Sequence, residues 1–341
     1  MGRTLTLTEK QFMNANGDIG NNDVGFQVAI QTLTQLSQKI VEQKFYEISI
    51  SDFMNVDVGS GAWQEEYMQA REYYTGGGFE EGDIDDHAGS GKLSEVDAAI
   101  DTMSVPNRFW AKKVSWRKPQ LEQAARNMIP WDQPAAKLRS LKKNWDLGIQ
   151  ELAFIGHSTI PRITGLLNNR EVNSNTSILP VPISSMTQAQ MNNFVKLVLN
   201  AYFVNSNSTQ MPNRFVVPTS DYLGLGQPFP GSVAQITMLE YLLNMLKKQT
   251  RNEDFDIIPL KYAEKEFQLK RGNNVLGRYT LYFSAPKNIE TPTLRLPIDF
   301  QLITGRLSDD NLSVPTTAFG QYSSVLISRP REVLYLDVLS A

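Results

Sequence analysis

Apolar residues recur along this chain with two periods, and the switches between them divide it into elements. After a polar, Asn- and Gly-rich start, Ile30, Leu33, Leu36, Ile40 and Val41 follow the spacing of one helix face. From Phe45 to Val58 the chain partly alternates through Tyr46, Ile48 and Ile50, which predicts a short strand. Ala111–Gln120 sets Val114 and Trp116 against Lys113, Ser115 and Arg117, the pattern of a half-exposed strand. The clearest signal lies between Gln133 and Ile155. There Leu138, Leu141, Trp145, Ile149, Leu152 and Ile155 recur every three or four residues, behind Asp132 and Pro134 and ahead of Gly156. A proline in the first turn loses no helical hydrogen bond, and glycine is a natural stop. The opposite face carries Lys137, Arg139, Lys142 and Lys143. A single apolar stripe on so long a helix predicts a rigid strut whose Leu141, Trp145, Ile149 and Leu152 pack on a sheet.

Two further helices show capping boxes, in which a cap hydroxyl and a residue three positions on satisfy two free backbone N–H groups. Thr187 and Gln190 open one, ahead of Met191, Phe194, Val195, Val198 and Tyr202. Ser232 and Gln235 predict another, ahead of Ile236, Leu239, Leu242, Leu243 and Leu246. Between them Arg214–Pro218 reads as a strand. The last third is β-rich, with strands predicted at Phe255–Leu260, Arg278–Phe283, Leu294–Ile303, Ser324–Ile327 and Val333–Val338. The order of helices and strands is that of an α+β chain without regular βαβ alternation, so neither a doubly wound sheet nor a closed barrel is expected.

Tyr74–Ser104 breaks the pattern. It runs Gly76-Gly77-Gly78, then Glu80, Glu81, Asp83, Asp85 and Asp86, then Gly89-Ser90-Gly91, with few large apolar side chains. Such a stretch contributes little to a core and predicts a protruding β-hairpin or flexible loop. Charge sharpens that reading. Residues 61–110 hold eleven acidic and three basic side chains, whereas residues 111–143 hold nine basic and two acidic ones. A swing of sign that nearly cancels, within a formal net charge of −3, suits a molecule that meets copies of itself. It argues against a basic surface that wraps nucleic acid. With 341 residues the chain has enough length for one large core or two ordinary ones. No run of eighteen apolar residues predicts a membrane span, and residues 1–11 lack the pattern of a secretion signal.

The chemistry that a catalyst needs is missing. Cysteine is absent, which removes disulfides, thiolate nucleophiles and cysteine–zinc sites together. The two histidines, His87 and His157, lie seventy residues apart. His157 reads as a helix-terminal residue favoured by the dipole. His87, beside Asp83, Asp85 and Asp86, does not complete a calcium-loop pattern. Gly89-Ser90-Gly91-Lys92 lacks the first glycine and the final hydroxyl of a phosphate loop. Glu65, Glu66 and Glu72 interleave with Trp63, Tyr67, Tyr73 and Tyr74, where a single-strand binder would place Lys or Arg. No catalytic, cofactor or metal residue is assigned, and no enzyme is expected.

The order of elements, with Gly61-Ala-Trp-Gln-Glu-Glu-Tyr-Met-Gln-Ala70, Phe154-Ile-Gly-His-Ser158, Ile163-Thr-Gly-Leu-Leu-Asn168 and Arg214-Phe-Val-Val-Pro-Thr-Ser-Asp-Tyr222, resembles the major capsid proteins of tailed bacteriophages and the encapsulin shells that share their fold. The resemblance implies an N-terminal arm and first strand over 1–60 and an extended loop over 61–110. A peripheral domain with a long spine helix would cover 111–226, an axial domain 227–286, and return strands 287–341. It implies self-association into pentamers and hexamers of an icosahedral virion shell, made in the host cytoplasm. The inner face would meet packaged double-stranded DNA non-specifically, and scaffolding, portal and decoration proteins are further implied partners. No membrane and no cofactor is implied. Glu80, Glu81, Asp83, Asp85 and Asp86 are the expected inter-subunit contacts, facing a neighbour's Lys137, Arg139, Lys142 and Lys143. An encapsulin-like compartment shell is the alternative of the same class. A hydrolase or nucleotide-binding enzyme is the alternative of another class, and would need a polar cleft that these residues do not assemble.

Overall fold

A computed structural model describes residues 43–75, 95–117, 133–229, 236–286, 288, 290–304 and 313–339. The helical stripe at Ile30–Val41, the acidic run Glu80–Asp86, His87 and the glycine pair around Ser90 lie outside these residues. Nearly all of what is described belongs to one compact unit, formed by Glu47–Lys118 and Pro134–Ala341.

In chain order the strands are β1 (Asn55–Val58), β2 (Glu66–Thr75), β3 (Asp97–Pro106), β4 (Arg108–Arg117), β5 (Asn173–Asn175), β6 (Arg214–Pro218), β7 (Asp256–Leu260), β8 (Val275–Tyr282), β9 (Thr293–Leu296), β10 (Ile298–Thr304), β11 (Ser313–Tyr322), β12 (Val325–Leu326) and β13 (Val333–Leu339). The helices are α1 (Gln133–Ile155), α2 (Gln188–Ser206), α3 (Thr219–Leu225), α4 (Met238–Thr250) and α5 (Lys265–Leu269). They build a five-stranded mixed sheet in the order β5-β13-β8-β6-β7, a three-stranded antiparallel sheet β10-β11-β4, a small sheet β1-β9-β12, and the isolated hairpin β2-β3.

The largest core lies between the five-stranded sheet and helices α2 and α4. Phe194, Val195, Val198 and Tyr202 of α2 and Leu242 and Leu246 of α4 meet Phe215, Val217, Tyr279, Leu281, Leu334 and Leu336 from the strands. Burying side chains of this size is worth about 1.5–3 kcal/mol each before conformational entropy is subtracted. The predicted capping box at Thr187 and Gln190 is present in both directions. Ser232 and Gln235 of the second predicted box lie outside the described residues. Helix α4 starts five residues later, because the Thr237 side chain accepts from Glu240 N–H and Met238 N–H donates to the Gln227 carbonyl.

Helix α1 has the predicted bounds. Leu141, Trp145, Ile149 and Leu152 are buried, and Trp145 lies 5.1 Å from Trp110 of β4, tilted at 57°. Gly320 of the central strand β11 makes room for that indole: a Cβ there would stand 2.4 Å from its edge. The helix ends at Gly156, φ 68°, and its last carbonyls are taken by a segment ten residues on. Leu166 N–H donates to Ala153, Leu167 N–H to Phe154, and the Asn168 amide to Ile155, all within 2.9 Å. The Gly-Leu-Leu-Asn phrase is therefore a remote cap for the helix end.

Several expectations change. Residues 45–49 form no strand; Ile50–Asp52 is a short 3-10 turn and only Asn55–Val58 pairs, parallel to β9. The single strand expected over Leu294–Ile303 is divided at Pro297 into β9 and β10, which belong to different sheets. His157 is not a dipole-stabilised cation. Its Nδ1 accepts N–H groups from Thr159 and Ile160, at 3.1 and 3.2 Å. Desolvation, then Arg271 and Arg108, hold the imidazole below its ordinary pKa.

Candidate assembly surfaces

The hairpin β2–β3 is the one sheet of the described residues with no layer packed on its outer part. Its register pairs Glu66 with Pro106 and Thr75 with Asp97, so side chains sort cleanly by face. One face carries Tyr67, Gln69, Arg71, Met103 and Val105, which are partly or fully buried towards the root. The other carries Met68, Ala70, Glu72, Tyr74, Ala98, Ile100 and Thr102, all exposed. Met68 is 65%, Tyr74 77% and Ile100 72% accessible. An outward face this apolar reverses the usual pattern, in which the solvent side is polar. Isolated two-stranded ribbons are marginal in water, and contiguous exposed apolar surface marks an interaction site.

The root is fixed by side chains from three directions. Arg162 bonds Glu66 at 3.1 Å and the Ser104 hydroxyl at 2.9 Å. Arg71 reaches Glu171 at 3.2 Å and the Ile327 carbonyl at 3.1 Å. Arg295 lies over the Tyr67 ring, 3.3 Å from its centroid, and also bonds the Ser60 carbonyl at 3.1 Å. Gln321 clamps the approach, donating to the Gln64 carbonyl and accepting from Trp63 N–H. The exposed ion pairs are worth about 0–1 kcal/mol each, but together they fix the ribbon's root to the body.

The basic face of α1 makes contacts within the subunit. Lys137 donates to the Ser115 carbonyl at 3.1 Å, Lys142 pairs with Asp146 at 3.4 Å, and Lys143 contacts Glu47. Lys137, Lys142 and Lys143 thus have contacts inside the subunit, and Arg139 also lies on the exposed surface. The acidic residues Glu80, Glu81, Asp83, Asp85 and Asp86 lie outside the described residues.

Among the described residues, no group of three or more His, Asp or Glu could hold a metal ion. No described helix is long and apolar enough to cross a membrane. The buried polar groups serve the fold. Arg278 forms a two-bond pair with Asp337 at 2.7 and 2.8 Å across β8 and β13, and a third bond to the Leu167 carbonyl. Asp221 accepts from Ile183 N–H, Ser184 N–H and the Tyr279 hydroxyl. Burial and that carboxylate raise the Tyr279 pKa.

A subunit with a packed interior and an uncovered apolar ribbon defines a protein of the self-assembling structural class. Comparison with known proteins gives the family. The major capsid protein family matches residues 87–339, and the chain belongs to it. The fold is that of the capsid of Myoviridae phage XM1, with TM-score 0.72 and 14% identity over 91% of this chain and 98% of that one. It is also that of the capsid of a native GTA particle, with TM-score 0.57 and 11% identity over 95% and 99%. The holo-SrpI encapsulin complex from Synechococcus elongatus PCC 7942 is more distant, with TM-score 0.51 and 12% identity over 92% and 95%. No curated protein matches the sequence.

Proposed function

We propose that this capsid protein tiles into an icosahedral shell enclosing phage double-stranded DNA. In this reading α1 is the spine helix, and β2–β3 is the stem of an extended loop that lies over a neighbouring subunit. The observation that carries it is the outward hairpin face, whose Met68, Tyr74 and Ile100 are uncovered in the single chain. A second copy of the chain, repeated around a closed shell, would supply an identical cover for every such ribbon. The proposed segments are an arm over 1–60, an extended loop over 61–110, a peripheral domain over 111–226, an axial domain over 227–286 and return strands over 287–341. The packed unit formed by the five-stranded sheet with α2 and α4 draws strands from the last three of these segments, so the proposed peripheral and axial segments share one sheet.

Pentamers and hexamers, scaffolding, portal and decoration proteins belong to the same proposal. Contact with packaged DNA would be non-specific, through the inner face. Particles recovered with this chain should contain nuclease-protected duplex DNA. Particles that enclose protein cargo and no DNA would instead favour an encapsulin-like compartment.

A further inference from the structure

A cleft of about 360 Å³ opens where the end of α1 meets the loop after α5. Its lining includes Arg170, Lys270, Arg271 and Arg278, together with His157, Ser158, Asn169 and Asn273, and no carboxylate. That composition is unusual for this chain. Four arginines elsewhere pair with acids: Arg71 with Glu171, Arg162 with Glu66, Arg295 with Asp57 and Arg329 with Glu290. In the cleft only Arg278 does so, and Asp337 already holds it with both oxygens. Among the described residues Arg170, Lys270 and Arg271 make no salt bridge.

Arg271 is half committed. One terminal nitrogen donates to the Gly156 carbonyl at 2.6 Å, which neutralises the carbonyl end of α1. Its Nε, like those of Arg71, Arg214 and Arg295, is buried and has no hydrogen-bond partner. Glu151, on the helix side, adds a favourable field at this guanidinium without bridging it. A buried guanidinium N–H without an acceptor is costly unless something supplies one. His157 adds a second donor. Because its Nδ1 accepts two backbone N–H groups, the ring proton sits on Nε2. The opening thus combines Arg170, a Lys270 ammonium that rests over the Phe267 ring, 4.7 Å from its centroid, and a half-used guanidinium and an imidazole N–H with hydroxyl and amide groups.

From this arrangement we infer that the cleft is a binding site for a phosphate-class oxyanion, with Arg271 and Lys270 as its principal ligands and Arg170 at its rim. Planar guanidinium groups match phosphate oxygens, and Lys270 adds a compact charge. A recess is the wrong shape for tracking a duplex and the right one for a compact group, either free phosphate or the phosphodiester of a strand end. The site lies within one subunit and does not depend on the shell reading.

Calorimetric titration of the purified full chain with inorganic phosphate, at fixed ionic strength set by sodium chloride, tests it. Wild type should bind saturably, and K270Q/R271Q should bind at least tenfold more weakly. R170Q, at an exposed position, should weaken binding several-fold and keeps the test usable if the double variant misfolds. K142Q/K143Q should bind like wild type. Displacement of phosphate by a short oligonucleotide, abolished by the same variants, would identify nucleic acid as the source. Failure to displace would identify free phosphate or a small ester. Absence of saturable phosphate binding in the wild type overturns the inference, as does binding unchanged in R170Q and K270Q/R271Q. Binding only of an acidic peptide carrying Glu80–Asp86 would also overturn it.

Discussion

The hairpin β2–β3 and the strands β8 and β13 are similar lengths of antiparallel ribbon with opposite surroundings. On β8 and β13 nearly every side chain is buried, because helices, neighbouring strands and the capping segment cover both faces. Along the outer part of β3 every residue from Asp97 to Thr102 is exposed. Both are paired along their length, β8–β13 with one register irregularity between Val338 and Leu339, so pairing does not distinguish them. Cover does. The interior sheet stabilises the subunit, whereas the apolar face of the ribbon is exposed in the single chain. Substitutions in the two regions should therefore separate folding from assembly.

The largest effect belongs to the interior. Trp145→Ala removes the indole that fills the space above Gly320 and beside Trp110, and should cost about 3–5 kcal/mol. Chemical denaturation of the variant checks this, and an unchanged midpoint would mean the stripe on α1 is not a core face. Thr187→Ala deletes one half of the capping box on α2 and should cost about 1 kcal/mol by the same measurement.

A smaller effect concerns acid. His157 has a lowered pKa in the fold, so the unfolded chain binds its proton first as pH falls. Stability from this group is therefore present above about pH 6.5 and declines below it. His157→Asn keeps a side-chain acceptor for Thr159 and Ile160 but cannot titrate. Between pH 7 and about pH 5.5 its melting temperature should fall slightly less than that of wild type. An equal or larger fall would remove His157 from the account.

The elements read most easily from sequence are those whose signal is local. Helix α1 announces itself by a continuous apolar stripe between Pro134 and Gly156, and α2 by its capping box. Strand β11 was not legible, because Pro315 and Gly320 read as strand breakers. Its glycine is explained only by Trp145, more than a hundred positions away. Pro297 had the opposite effect: it divides what composition suggests is one strand. The assembly surface was legible in part. The Gly- and acid-rich composition of Tyr74–Ser104 pointed to a protrusion, but the apolar outward face follows from the pairing of Glu72 with Ile100, a register that no short-range signal fixes. Charge counting likewise could not show that Lys137, Lys142 and Lys143 have partners within their own subunit.

The smallest effect on folding should come from the ribbon, and there the effect on assembly should be greatest. Met68→Glu with Ile100→Glu places two charges on a face that already meets water in the single subunit. Stability should stay within about 0.5 kcal/mol of wild type. Electron microscopy and sedimentation of the two proteins, prepared alike with whatever assembly helpers the wild type requires, give the most direct measurement. Wild type should form closed shells, and the double variant should remain as folded subunits or small rings. Shells of the double variant in wild-type yield would contradict the claim that this face is covered by a neighbouring copy.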